Sequence, residues 1–301
     1  CCLLYYFSKD INRVFTLLGL LCVAAGGGLA IYTGFKSKTD AYFLLHTKYL
    51  ELDLQTITYF SGIIAGSLCC MVALFGILFL TPIREHWMHY PFVFITFLSM
   101  IYLAALGITI HQTGEIAYNV VEDYCEDNFQ VWEKKRLGSF AIALDTTYTD
   151  VERTLLCSNE CPCANINQGL WGKFVDEYTY EFERDQKVFT GSQANALNCP
   201  SLLNLYDSDI VDFLQYLEGK YACSGICYYL YYFAFTDVSI GPPSFTCLES
   251  LELELTGLNG ILGWYAKMFY ISAGLIFGGW FFQFGLCFRK NETYKARIRK
   301  Y

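Results

Sequence analysis

Eight of the 14 cysteines lie between residues 112 and 262: Cys125, Cys157, Cys161, Cys163, Cys199, Cys223, Cys227 and Cys247. Sulfur at that density either cross-links in an oxidising compartment or holds a metal. The tightest cluster is Cys157-x3-Cys161-Pro162-Cys163. A zinc ion there would need a fourth thiol or an imidazole, and no histidine follows His111. Disulfides are therefore the expected chemistry, with no metal, and the pairing stays open among the many that eight cysteines allow. Each cross-link restricts the unfolded chain and is worth on the order of 2–4 kcal/mol. No G-x-S-x-G, H-E-x-x-H or phosphate-loop pattern occurs, so no catalytic residue is assigned and no enzyme is expected.

Three further cysteines could take a different modification. Cys1 and Cys2 precede the first apolar run, and Cys287 closes the last one beside Arg289. Thiols beside a membrane span on the cytoplasmic side are candidates for palmitoylation. Asn12 and Gln283 are the polar candidates at or within the spans, where an amide seeks a partner on a neighbouring helix. The single N-x-[ST] site, Asn291-Glu292-Thr293, falls in the basic tail, where no N-glycan is expected.

The elements that must position these residues are apolar. Of the residues, 54% are hydrophobic and 18% aromatic, which exceeds the usual share in a soluble domain and fits a membrane protein. Four runs are long enough to cross a hydrocarbon core as helices: 14–35, 57–80, 91–111 and 263–288. The first carries Gly26-Gly27-Gly28, and the second is rich in glycine, alanine and serine; small residues let helices approach closely in lipid. The first run is too long for a cleavable signal and is expected to stay as a span. The spans lack an acidic or basic residue at their midplane, which argues against a transporter.

Charge divides the chain. Residues 112–262 hold 23 of the 29 acidic residues and only 8 of the 21 basic ones. Lys9, Arg13, Arg84 and six bases in the tail mark the head (1–13), the turn at 81–90 and the tail (289–301) as cytoplasmic. Residues 36–56 and 112–262 then become a small and a large extracellular loop, the second where disulfides persist. Acidic composition excludes nucleic acid as a partner, while the tail bases suit anionic inner-leaflet lipid.

Within the large loop, the third span is expected to run on as an amphipathic stalk to about Arg136. A helix is expected over 139–156 with Asp150 and Glu152 exposed, and another over 202–217. Trp171, Phe174, Tyr178, Tyr231 and Tyr232 are the candidate partner-binding residues, from an aromatic segment without clear periodicity and from the run at 228–235.

Asn12-x2-Phe15-x-Leu17-Leu18-Gly19-Leu20 behind a cysteine-bearing head resembles the opening of the first span of tetraspanins. The glycine-spaced second span followed by Arg84-Glu85 in a short inner turn is similar to the same family, as are the loop proportions. Gly241-Pro242-Pro243-Ser244-Phe245-Thr246-Cys247 resembles a loosened Pro-x-Ser-Cys motif. The outer loop has no Cys-Cys-Gly, so the resemblance is to a divergent member. It implies a four-helix membrane bundle with a sterol or phospholipid between the spans. It also implies a cell-surface scaffold that gathers other membrane proteins, as a homo- or hetero-oligomer. The expectation is an all-α membrane protein: a four-transmembrane-helix bundle with a large, disulfide-rich, mainly helical extracellular loop. The alternative is a fixed accessory subunit of a larger channel or transporter assembly.

Overall fold

In a computed structural model, the described backbone covers residues 2–41, 43, 54–78, 89–126, 136–172, 174, 178, 182, 183, 185–199 and 201–298. The side chains of 2–13, 15, 16, 77, 78, 89–92, 136, 137, 168, 203 and 282–298 stand outside that description. The chain is mostly helical, and the described residues contain two isolated bridges but no strand. It divides into two compact units. One, the span unit, comprises Cys1–Asp40, Asp53–Gln112 and Gly263–Tyr301; the other, the disulfide unit, comprises Ala41–Leu52 and Thr113–Leu262.

The long helices are α1 (Cys2–Thr39), α2 (Leu54–Leu78), α3 (His89–Cys125) and α7 (Ile261–Ile298). By length and composition all four can cross a membrane, over Leu17–Thr39, Leu54–Gly76, Val93–Cys125 and Ile261–Phe281, as an integral multi-pass membrane protein requires. Their large apolar side chains point outward: Leu21, Ile64, Leu74, Phe94 and Phe281 are all more than half exposed. In water that surface would be costly; against lipid it is the ordinary state of a spanning helix.

The glycine run in α1 serves two neighbours at once. A Cβ on Gly27 would stand 2.8 Å from the Gly66 carbonyl oxygen of α2, while one on Gly26 would stand 2.8 Å from the Ser272 carbonyl oxygen of α7. Gly62 returns the approach from α2, with 2.6 Å to the Ala30 carbonyl oxygen. Backbones this close leave no room for a side chain, so dispersion contact and small residues hold α1 to α2. Elsewhere in the span unit, Ser61 shares a 2.5 Å hydrogen bond with Tyr102 of α3, and Phe97 meets Trp280 with ring centroids 5.6 Å apart. At one end of the bundle, Tyr265 donates to Asp40 at 2.9 Å, and the Lys36 ammonium lies 3.8 Å from the Trp264 ring centroid. Lys267 sits half-buried six residues after Ile261, about 9 Å along the helix by its rise, well short of the span's middle.

In the disulfide unit the shorter helices are α4 (Arg136–Asp150), α5 (Ser208–Tyr221) and α6 (Leu248–Leu255). A π-helical turn, Val151–Leu155, extends α4. Glu152, expected to be exposed, is 6% exposed instead, because the wider π turn rotates it inward beside Lys187. The helix expected over 202–217 is two: a turn at Leu202–Leu205, then α5, whose start is fixed by the Asp207 carboxylate accepting from Asp209 N–H at 3.1 Å. α5 ends at Ala222, a left-handed residue (φ 53°) whose N–H returns to the Glu218 carbonyl. α3 continues unbroken past the apolar run but ends at Cys125; residues 127–135 of the expected stalk lie outside the described residues.

Candidate interaction site in the disulfide unit

All eight cysteines of the loop pair: Cys125–Cys227, Cys157–Cys163, Cys161–Cys199 and Cys223–Cys247. No His/Cys/Asp/Glu group among the described residues has the makings of a metal site. The bridges pin a backbone that is largely irregular over the described residues of 156–199 and from 222 to 247. Such backbone has no continuous ladder; loop-to-loop peptide bonds such as Cys163 N–H to Val188 and Ala196 N–H to Ala234 satisfy part of it, and side chains add to them.

Among the described residues, four ionisable side chains with partners distant in sequence contribute most plainly. Asp145 accepts from Cys227 N–H at 3.3 Å and from the Tyr124 hydroxyl at 3.3 Å, next to the Cys125–Cys227 bridge. Burial holds its carboxyl above the usual range, although both hydrogen bonds pull the other way. Lys187 donates to the carbonyls of Glu152, Arg153 and Leu156, closing the end of the π turn. Burial lowers its ammonium, and Glu152 and Asp185 offset part of that. Glu254, fully buried, accepts from Tyr216, Tyr221, Lys220 and the N–H of Ile261, the first residue of α7. Burial alone would depress Lys220, but its bonds to Glu254 and Tyr216 outweigh this and hold it above its ordinary value. Glu218 accepts four hydrogen bonds from Ser224 and the N–H groups of Ala234, Phe235 and Thr236.

The aromatic residues gather around Phe182. Its ring lies 5.9 Å from Trp171, 6.2 Å from Tyr178, 4.8 Å from Phe189 and 6.1 Å from Tyr232. Phe174 stacks on Tyr178 at 6.2 Å, and Tyr178 meets Tyr231 at 5.1 Å. The structure thus brings together all five aromatic residues singled out from the sequence, but it splits them. Trp171 and Tyr232 are 1% and 0% exposed and belong to the core, not to a partner-facing surface. Tyr232 is held there by its hydroxyl, which reaches the Glu152 carbonyl at 3.0 Å. Phe174, Tyr178 and Tyr231 are half-buried. Among the described residues, large apolar side chains that do face outward include Leu170, Leu205, Tyr228, Ile240, Leu253 and Leu258, each more than half exposed. None of these six was among the candidates, and single exposed leucines and tyrosines carry no periodic signal that would have marked them.

In the span unit, a cavity of about 760 Å³ opens between α2 and α3, lined by Phe60, Ser61, Ile64, Leu68, Leu98 and Tyr102 among others. Its lining is apolar apart from a few hydroxyls, the character of a lipid or small-molecule site. Of the remaining candidates, Cys2, Asn12, Gln283 and Cys287 lie on α1 and α7 with side chains outside the described residues, and Cys1 lies outside them altogether.

No protein-family model, no curated protein and no solved structure matches this chain.

Proposed function

We propose that the protein is a tetraspanin-like, non-catalytic membrane scaffold. It gathers other membrane proteins through the surface of a disulfide-bonded, extracytoplasmic loop and through its spans. The observation that carries this reading is the set of large apolar side chains held outward on a cross-linked frame, with Leu170 and Tyr228 at 57% and 63% exposure. Exposed apolar surface on a rigid, oxidised unit is what a protein-binding face needs. Phe174, Tyr178 and Tyr231 add half-buried rings of the kind enriched at interfaces.

On the same reading, head and tail face the cytosol, with Cys1, Cys2 and Cys287 acylated there. The α2–α3 cavity takes a sterol or a phospholipid chain. Ser61 and Tyr102, with Thr56 and Ser99, are lining residues whose hydroxyls could meet a ligand hydroxyl.

Crosslinking in native membranes followed by mass spectrometry tests the scaffold. Partners should be several and exchangeable, and the double variant Leu170→Asp with Tyr228→Asp should lose most of them while keeping all four disulfides. A single partner retained at fixed stoichiometry through detergent would point instead to an accessory subunit. Unchanged crosslinks in the double variant would reject the proposed face.

A further inference from the structure

Three outward-facing apolar side chains of the disulfide unit, Ile116, Leu253 and Leu258, differ from Leu170 and Tyr228 in their place on the chain: each lies where it enters or leaves a span. The span Ile261–Phe281 is 21 residues long. At helical rise that is about 30 Å, the thickness of a hydrocarbon core, so Ile261 marks the core's edge. Trp264 and Tyr265 follow within one turn, as rings at a lipid–water boundary do. The headgroup layer covers about the next 5–8 Å outward.

Contacts inside the disulfide unit put all three side chains beside that edge. Glu254, next to Leu253, accepts from the Ile261 N–H at 3.2 Å. The turn between α6 and α7 is tight: Gly260 N–H returns to the Gly257 carbonyl at 2.9 Å, and a Cβ on either glycine would run into the Leu253 carbonyl oxygen. Leu258 lies between those glycines and is kept at the start of α7. On α3, a Cβ on Gly114 would stand 3.5 Å from Leu262 Cδ1 and would run into the Leu255 carbonyl oxygen, so Gly114 is level with the same point. Ile116 is two residues further out, about 3 Å along the axis.

These side chains do not share one face. Two residues along a helix is a rotation of about 200°, so Ile116 points away from the side on which Gly114 meets α6, and Leu253 points away from the buried Leu251 and Leu255. A single protein partner covers one side; apolar side chains facing different ways at one level suit a medium that surrounds them, continuous with the lipid around the spans. Glu252 and Asn259, exposed beside the leucines, suit the polar headgroups of the same layer. The 23 acids against 8 bases over 112–262 disfavour an anionic surface, which leaves a zwitterionic one. We propose that Ile116, Leu253 and Leu258 form an apolar foot that enters the facing leaflet of a zwitterionic phospholipid bilayer and seats the disulfide unit on it. The foot rests on the long helices crossing a bilayer, not on the scaffold reading.

The test uses the full-length protein in phosphatidylcholine nanodiscs, with a diazirine-bearing leucine analogue placed singly at Ile116, Leu253 or Leu258, at Ile64 of α2, or at Leu170. Illumination and mass spectrometry then count phospholipid adducts, and mapping of the four disulfides without reduction checks the fold of each variant. Adducts at 116, 253 and 258 should exceed those at 170 on the order of tenfold, the preference of one leucine side chain for an apolar medium over water. Adducts at 64, with 253 and 258 no higher than 170, would overturn the foot and leave the spans standing. No adduct at 64 would overturn both. Protein–protein adducts at 253 and 258 in place of lipid ones would also overturn the foot and give these leucines to a contact between copies. Either leucine variant alone, once its disulfides are in place, decides the matter.

Discussion

In the span unit, several buried hydroxyls turn back on their own helices, Thr33 donating to the Leu29 carbonyl at 2.8 Å, Ser37 to Gly34 at 2.7 Å and Ser272 to Met268 at 2.9 Å, while Ser61 and Tyr265 reach across to Tyr102 and Asp40. In the disulfide unit, the buried polar groups reach far along the sequence. Asp145 meets Cys227, Lys187 meets Arg153, and Tyr216 and Tyr221 meet Glu254. The difference follows from backbone. A continuous helix satisfies its own peptide groups and leaves close packing of small residues to join one helix to the next. An irregular chain leaves more peptide groups without a regular partner, and buried charge, tyrosine hydroxyls and sulfur bridges join scattered peptide bonds in holding it in one place.

The widest separation of the two should come from sulfur. Replacing Cys125 and Cys227 together by serine removes the bridge with a sequence separation of 102 residues and should cost about 2–5 kcal/mol. Limited proteolysis should then open the disulfide unit while circular dichroism of the spans holds; simultaneous loss of both would break the comparison. Next comes Glu254→Ala, which strands Tyr216, Tyr221 and Lys220. We expect a loss of about 3 kcal/mol, at the low end for a buried pair because Lys220 keeps 40% exposure. Denaturant titration of the same protein, read by tyrosine fluorescence, measures it.

The converse probe is Gly62→Leu. Overpacking should cost about 1–3 kcal/mol and lower the yield of engineered α1–α2 crosslinks, leaving the disulfide unit's proteolysis pattern unchanged. A gentler test is pH. Burial raises Asp145 and Glu152 as it raises Glu218, so the disulfide unit should gain stability as pH falls from neutral toward the ordinary carboxyl range and lose it as pH rises through the raised values. Asp145→Asn should flatten part of that slope; a slope of the opposite sign would refute the assignment. The smallest effect expected is Tyr229→Phe, which removes one hydrogen bond to the Pro243 carbonyl and should cost about 1 kcal/mol by the same denaturant titration.

The four spans were legible because length and apolarity alone decide them, and the pairing of eight loop cysteines followed from their number and setting. Which sulfur meets which was not legible, since Cys157 joins Cys163 across a single turn of chain while Cys161, between them, joins Cys199. Glu218 and Glu254 were missed for a common reason. Each follows the leucine spacing of its helix, Leu214–Leu217–Glu218 and Leu251–Glu254–Leu255, and a charged residue in an amphipathic pattern reads first as the wet face. Counting the glutamates that stand in phase with the leucines would have found both. Trp171 and Tyr232 were misjudged in the opposite direction, because an aromatic run says nothing of which rings turn inward.

The bridges also interleave: Cys223 precedes Cys227 in sequence, yet its partner Cys247 lies beyond it, and Cys161–Cys199 falls inside the span of Cys125–Cys227. A protease that cut once anywhere between Cys163 and Cys199 would therefore release nothing. The two fragments would stay fastened at both 161–199 and 125–227, and a clipped molecule would travel on a gel as an intact one until its sulfurs were reduced.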